Sequence, residues 1–150
     1  MRAPPAEVFA RLDDHARLSA HMSRRSWKMG WGKMETLLDD QRGHAVGSHV
    51  VLRGRVFAIT LYLDEVVTAR DPPLGKAWET VGKPRLIVIG PYRMGFELRG
   101  ANKRSSHLRV YIDYDMPDRG VARFLGRLFG RSYAQWCVRQ MVTDAQEAFV

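Results

Sequence analysis

The chain has 150 residues, of which 45% are hydrophobic, and this size is typical of a single domain with its own core. Its net charge of +8 is compatible with contacts to nucleic acid, anionic lipid or acidic ligands, and does not choose among them. The one cysteine, Cys137, excludes an internal disulfide bond and favours a cytoplasmic setting, and no apolar run approaches the roughly 18 residues of a membrane span.

The first part of the chain predicts two short helices. The prolines at positions 4 and 5 suit the first turn of a helix, whose apolar face is formed by Val8, Phe9 and Leu12. A second short helix is predicted over residues 15–22. Residues 23–33 form a polar, basic connector, and its two tryptophans would gate a pocket mouth, meet a membrane or cap the core.

From position 33 onward the apolar period changes to two, which predicts about six strands. The candidate strands are "KMETLLDD", "GSHVVLRG", "RVFAITLYLDEVVTAR", "KAWETVG", "RLIVIGPYRMGFELRG" and "HLRVYIDYDM". Short polar turns such as "DPPLG" and "ANKRSS" separate some of them, and this arrangement favours an antiparallel meander with one buried face. The residues on this face in the third, fifth and sixth candidates are Phe57, Ile59, Leu61, Leu63, Tyr92, Met94, Phe96, Leu98, Leu108, Val110, Ile112 and Tyr114.

After Pro117 the apolar period returns to 3.6, which predicts one helix of about 30 residues. A sheet with one apolar face has to bury it, and a long helix laid across a curved sheet does so. The fold class is therefore α+β, and a cavity can remain where the sheet wraps the helix incompletely. The apolar stripe expected to face the sheet comprises Val121, Phe124, Leu125, Leu128, Phe129, Trp136, Cys137, Met141 and Ala145.

Several of these stretches resemble a known family. They are "APPAEVFARLDDHARLSAHM" at the front, "GPYRMGFEL" and "LRVYIDYDMP" in the sheet, and "YAQWCVRQMV" in the last helix. The chain resembles the START-like, or SRPBCC, superfamily along nearly its whole length, and within it the polyketide cyclase/dehydrase-like branch. The resemblance implies a single helix-grip domain over residues 1–150, with a curved antiparallel sheet around the C-terminal helix, as in the birch-pollen allergen family.

The start of the chain departs from this pattern. The family places a strand before the first helix, whereas only three residues precede the prolines here. We expect that this strand is absent or that the chain begins downstream of its biological start. An uncovered sheet edge would favour pairing with another chain, and our hypothesis is a homodimer that forms through that edge.

The resemblance implies binding of a small hydrophobic or amphipathic molecule, lipid-like or polyketide-like, between the sheet and the helix. Among the residues expected to line the cavity, Tyr92, Tyr114 and Tyr133 are the polar candidates, because their hydroxyls can point inward. Two alternatives stay open for them: core tyrosines bonded to backbone or water, or acids and orienting groups of a cyclase or dehydratase. The expected walls are Phe57, Ile59, Leu61, Tyr92, Met94, Phe96, Ile112, Tyr114, Phe129, Tyr133 and Trp136.

Other chemistries find little support in the sequence. The five histidines lack the spacing of a metal site, so no metal is predicted. No phosphate-binding glycine loop and no nucleophile motif occurs, so the sequence predicts no cofactor and assigns no catalytic residue. Cys137 lies on the apolar stripe of the last helix and is interpreted as a small buried hydrophobe.

A row of arginines recurs every four residues in the last helix, at Arg119, Arg123, Arg127 and Arg131. Such a row would bind an anionic lipid surface or phosphates, which makes a basic interaction module a second alternative function. The other interpretation is a solvated helix face whose arginine stems cover apolar neighbours. Nucleic acid is not favoured as a partner, because no aromatic interleaving or nucleic-acid motif accompanies the row.

Overall fold

The computed structural model describes residues 1–15, 17, 34–56, 59–118 and 120–149. Most of the second predicted helix, the tryptophan-bearing connector, His21, Phe57 and Arg119 lie outside the described residues. The elements in chain order are α1 (Pro5–Leu12), β1 (Met34–Leu38), β2 (His49–Val56), β3 (Ile59–Asp71), β4 (Gly75–Thr80), β5 (Tyr92–Asn102), β6 (Ser105–Tyr114) and α2 (Gly120–Glu147).

Each strand pairs antiparallel with the next one along the chain, so the six strands form one meander in the order β1-β2-β3-β4-β5-β6. Because each strand pairs with its neighbour in sequence, the sheet contains no crossover connection. The predicted α+β fold, with a six-stranded antiparallel sheet, a long C-terminal helix and a short helix at the front, is confirmed.

Two strand boundaries differ from the sequence prediction. The single strand expected over residues 55–70 is wrong, because β2 ends at Val56, β3 begins at Ile59, and these two residues pair with each other. The sequence there contains no glycine, proline or asparagine to signal a turn. The strand expected from residue 85 begins only at Tyr92. The preceding residues form a connector that bonds to β3 through a bridge between Arg85 and Tyr62, and Gly90 bonds to Asp115.

The core has two apolar clusters, and Tyr92 packs against both of them. In the larger cluster, Phe9 of α1 packs on Phe96 of β5 with ring centroids 5.7 Å apart. The smaller cluster is centred on Val50, Leu52 and Leu63 from β2 and β3. The space between the two clusters and α2 is where the candidate site lies.

The first residues of the chain run beside β6. The Met1 amino group donates to the Ser106 carbonyl at 2.9 Å, and the Ser106 backbone N–H donates to the Met1 carbonyl at 3.1 Å. The Ser106 hydroxyl also donates to the Ala3 carbonyl at 2.9 Å. The edge expected to be uncovered is therefore paired at the start of β6, and dimerisation through a sheet edge stays a prediction.

The orientation of α2 differs from the expected one in its first half. The buried residues of α2 are Gly126, Gly130, Ala134, Met141 and Ala145. Val121, Phe124, Leu128 and Phe129, which were expected to face the sheet, are exposed instead. The reason is steric: a Cβ added at Gly126 would lie 2.8 Å from Pro117 Cδ and 2.9 Å from the Val88 carbonyl oxygen. Only a glycine fits where the helix approaches the chain this closely.

Candidate functional site

A cavity lies between the inner face of the sheet and the second half of α2. It offers about 80 Å³ to the centre of a water-sized sphere, several times the roughly 10–15 Å³ that one water requires. Alternating residues of five strands, a helical stripe of α2 and the β4–β5 connector build its wall. The lining residues are His15, Val50, Leu52, Leu63, Glu65, Trp78, Leu86, Ile89, Tyr92, Met94, Ile112, Tyr133, Trp136, Cys137, Gln140 and Met141.

Five of the eleven wall residues predicted from the sequence line this cavity: Tyr92, Met94, Ile112, Tyr133 and Trp136.

Phe57 lies outside the described residues, and the other five predicted residues lie away from the cavity. Phe96 is buried in the core, and Tyr114 lies against the position of Gly130 in α2. Ile59 and Leu61 lie at the start of β3, outside the cavity wall, and Phe129 is exposed.

Glu65 is the polar centre of the cavity. It stands on the inner face of β3 between Leu63 and Val67, which are both buried, and it is itself only 7% exposed. Its carboxylate accepts hydrogen bonds from the Tyr92 hydroxyl and from Trp78. Burial raises the pKa of Glu65 from 4.5 to about 7, and the two hydrogen bonds offset only part of this effect. Near neutral pH the group can therefore either donate or accept a proton inside the cavity.

Tyr92 is fixed as the partner of Glu65. Its backbone N–H donates to Thr80 Oγ1 at 3.1 Å, which holds the start of β5 against the end of β4. Burial raises the pKa of Tyr92 well above its ordinary value, and the Glu65 carboxylate raises it further. The phenol therefore stays neutral and acts as a hydrogen-bond donor.

A buried charge cluster closes the α1 end of the cavity. The Lys76 side chain is fully buried, and its ammonium donates to the Asp13 carbonyl at 3.0 Å, to the Asp13 carboxylate at 2.9 Å and to His15 Nδ1 at 2.9 Å. Arg70 Nη2 donates to the same carboxylate at 2.8 Å. Because these bonds use all three ammonium protons, Lys76 ties the end of α1 to the sheet.

The cluster keeps His15 neutral. Burial and the positive charge of Lys76 lower the pKa of His15 from 6.5 to about 3. Burial alone would raise the pKa of Asp13, but hydrogen bonds from Arg70 and Lys76 outweigh it and hold this pKa well below its usual range. The neutral imidazole lies edge-on to Trp78, with ring centroids 5.1 Å apart, and forms part of the wall.

The helix wall offers aromatic rings and a protonated thiol. The rings of Tyr133 and Trp136 stack with centroids 5.9 Å apart. Burial raises the pKa of Cys137 to about 11 and that of Tyr133 above its usual range. Both groups are therefore neutral near pH 7, and Cys137 is not a reactive thiolate.

Sequence reasoning missed Glu65 and the cluster around Lys76. One signal was present in the sequence. Glu65 lies on the same face of β3 as Leu63 and Val67, and a single carboxylate among the apolar residues of one strand face indicates an acid that points inward. Nothing in the sequence signals that Lys76 and His15, 61 positions apart, are in contact.

Among the described residues, no three His, Cys, Asp or Glu side chains are grouped to hold a metal ion. The helices that the structure describes include none long and apolar enough to cross a membrane.

Comparison with known proteins identifies the fold. No protein-family model matches the chain, and no curated protein matches it. Thirteen chains of solved structures do match. One is the crystal structure of Ara h 8.0201, with a TM-score of 0.58 and 12% sequence identity over 97% of this chain and 92% of that chain. Ara h 8 is Bet v 1-like, so the chain shares the START/SRPBCC-type helix-grip fold, and at this identity the likeness shows the fold alone.

Proposed function

We propose that the protein binds a small, mostly apolar molecule in the cavity between the sheet and α2. The observation that carries this proposal is a cavity whose wall is largely aliphatic and aromatic, with few polar groups. The resemblance to START-like proteins, whose members bind hydrophobic or amphipathic molecules between sheet and helix, supports the same location. The cavity size favours a small molecule or one portion of a larger one.

Glu65 and Tyr92 give this cavity one polar end. The Glu65 carboxyl, held by Tyr92 and Trp78, is positioned to hydrogen-bond a hydroxyl, carbonyl or amine of a ligand. A ligand with one polar group and an apolar body would match both parts of the wall. We therefore favour an amphipathic ligand over a pure hydrocarbon.

The test compares two phenylalanine substitutions on one strand. Leu63 lines the cavity and is 4% exposed, whereas Ile59 lies on the same face of β3 and is 50% exposed. We expect N-phenyl-1-naphthylamine, a neutral fluorescent probe, to bind the wild-type protein and the Ile59→Phe variant equally. Leu63→Phe should weaken probe binding roughly tenfold, because the added ring fills the cavity. Equal binding by all three proteins, or no binding by the wild type, would contradict the proposal.

A second candidate function, an enzyme of the polyketide cyclase or dehydratase type, is favoured by one observation. Glu65 has a pKa of about 7 and contacts a phenol donor in a mostly apolar cavity. Such a carboxylate can remove a proton from carbon next to a carbonyl, and the Tyr92 hydroxyl can hydrogen-bond the enolate oxygen that forms. Tyr133 also lines the cavity, whereas Tyr114 does not.

The two candidates are separated by proton exchange. In D₂O, an enzyme of this type should accelerate exchange of the central protons of 1-phenyl-1,3-butanedione, measured by NMR. Glu65→Gln should abolish the acceleration and leave binding of the fluorescent probe within about twofold, because the amide preserves shape but is not a base. Probe binding without accelerated exchange in the wild type favours a carrier.

A further inference from the structure

The first half of α2 presents apolar side chains to the outside. Val121 is 75% exposed, Phe124 64%, Leu128 56% and Phe129 53%, and we call these four residues the exposed stripe. Isolated exposed apolar residues are ordinary, but four within nine positions of one helix form a patch. Such a patch is a feature of surfaces that contact a partner.

The orientation of the stripe is fixed by the other side of the helix. A Cβ at Gly126 would clash with Pro117 and the Val88 carbonyl, and one at Gly130 would lie 3.4 Å from Tyr114 and from the same carbonyl. Turning the helix to bury Phe124 or Leu128 would force large side chains into this space. The outward position of the stripe is therefore built into the packing.

Positive charge accompanies the stripe. Arg123, Arg127 and Arg131 are exposed on the same half of α2. Arg127 and Arg131 each follow a stripe residue by three positions, which makes them neighbours on the helix surface. From Gly120 to Thr143 the helix contains four arginines and no acidic residue.

This combination of apolar and basic groups selects among partners. A second copy of the chain would bring the same arginines together with no carboxylate in this part of the helix to pair with them. A nucleic acid would neutralise the arginines but would leave Phe124 and Leu128 in water. Anionic phospholipid satisfies both, because acyl chains cover the apolar side chains and headgroups pair with arginines extending from the interface.

We propose that the first half of α2 is a docking surface for an anionic phospholipid bilayer, with the exposed stripe inserted at the headgroup boundary. The helix lies flat on the membrane surface and does not cross it. Tyr133, Trp136 and Cys137, further along the same helix, line the cavity, so docking brings one cavity wall close to the lipid. This proposal is independent of whether the cavity binds a ligand.

The test measures flotation of the whole protein with phosphatidylcholine vesicles, with and without phosphatidylglycerol. We expect binding only when phosphatidylglycerol is present, and weaker binding at high salt. The double variant Phe124→Ser/Leu128→Ser should lower the vesicle affinity roughly tenfold or more. Its matched control is Ile59→Ser/Leu74→Ser, which removes two apolar side chains that are 50% and 53% exposed on other elements and should bind as the wild type does.

A second pair of variants isolates the charge. Arg123→Gln/Arg127→Gln/Arg131→Gln should lower the affinity roughly 100-fold. The control variant removes the same net charge by replacing three exposed basic residues with glutamine: Arg99 of β5, and Lys103 and Arg104 of the β5–β6 turn. Thermal unfolding of each variant checks that the fold is retained.

Four outcomes would overturn the proposal. The first is an equal loss in both charge variants, which would indicate nonspecific attraction by net charge. The second is a wild-type dimer that Phe124→Ser/Leu128→Ser converts to a monomer, which would make the stripe a self-interface. The third is failure of the wild type to bind any vesicle. The fourth is salt-dependent binding of duplex DNA that the same arginine variant alone abolishes.

Discussion

Replacing Glu65 with glutamine should change how the stability of the protein depends on pH. The pKa of Glu65 is about 7 in the folded protein and 4.5 in its ordinary state, so the folded form holds its proton more tightly. Protonated Glu65 therefore stabilises the folded protein. This stabilisation is present in full below pH 4.5 and is lost as pH rises to about 7. The pKa of His15 is about 3 instead of 6.5, so its contribution has the opposite sign and is lost as pH falls below 6.5.

The two effects oppose each other between pH 4.5 and 6.5. Each contributes about 1.4 kcal/mol per pH unit, so together they leave the free energy of unfolding nearly flat there. In Glu65→Gln only the His15 effect remains, and stability should rise with pH by about 3 kcal/mol across the window. Asp13 does not alter the pH dependence in this window. Its pKa is lowered from 3.8, so its contribution to stability is lost only in more acidic solution.

Urea unfolding followed by tryptophan fluorescence, with linear extrapolation at each pH, measures these free energies. The quantity to compare is the variant minus the wild-type value, since effects common to both proteins cancel. Glu97→Gln, which removes a partly exposed carboxyl from the outer face of β5, controls for removal of a charge. A Glu65→Gln difference that stays constant from pH 4.5 to 7 would refute the account of Glu65 as a buried acid.

Three further predictions concern packing and reactivity. Lys76→Met should lower the free energy of unfolding by about 3–5 kcal/mol, measured by urea unfolding, because it removes a buried partner of Asp13; an unchanged value would contradict the role of Lys76 in holding α1. Gly126→Ala should be destabilising by about 1–3 kcal/mol, whereas Gly130→Ala, with its nearest contact at 3.4 Å, should be close to neutral in thermal unfolding. Cys137 should react with iodoacetamide at pH 8 about 100-fold more slowly than a thiol of ordinary pKa, since its pKa is about 11 instead of 9; a rate equal to that of free cysteine would show an exposed thiol.

The change of apolar period from two to 3.6 was sufficient to predict the order of strands and the final helix. It was also sufficient to predict the inner faces of β5 and β6, because alternation is directly a consequence of strand geometry. The inward-facing Met94 and Ile112 follow from this rule alone. The β2–β3 hairpin was missed because its two-residue connection contains no residue typical of a turn, and the apolar pattern continues through it.

The cavity itself was only partly predictable. Periodicity indicates which face of a strand is apolar, but it does not reveal where along the strand the opposing helix stops filling the space. Ile59 and Leu63 share a facing, and only Leu63 lines the cavity. The buried charges were beyond reach for another reason: Lys76 becomes tolerable inside only because Asp13 and His15, distant in sequence, accept its hydrogen bonds.

The rotation of α2 about its long axis is predicted wrongly in the first half of the helix, because the prediction assumes that the most hydrophobic face is the buried one. The absence of a side chain at Gly126 allows the helix to approach the Val88 carbonyl oxygen, and Gly130 lies one turn further on against Tyr114. Two glycines four positions apart on a helix are a recognisable pattern for close approach of backbone to a neighbour. Where such a pair occurs, sterics rather than hydrophobicity decide the buried face, and apolar residues on the opposite face are left exposed.

The same helix face explains why the cavity lies where it does. Gly126, Gly130, Tyr133 and Cys137 are spaced by four, three and four positions, and therefore lie along one side of α2. At its first two positions this side has no side chain, and the helix lies directly against the chain beneath it. At the later positions Tyr133 and Cys137 separate the helix from the sheet, and the cavity lies between them and the sheet wall. The increase in side-chain size along one face of α2 thus both places the cavity at the second half of the helix and directs the exposed stripe outward at the first.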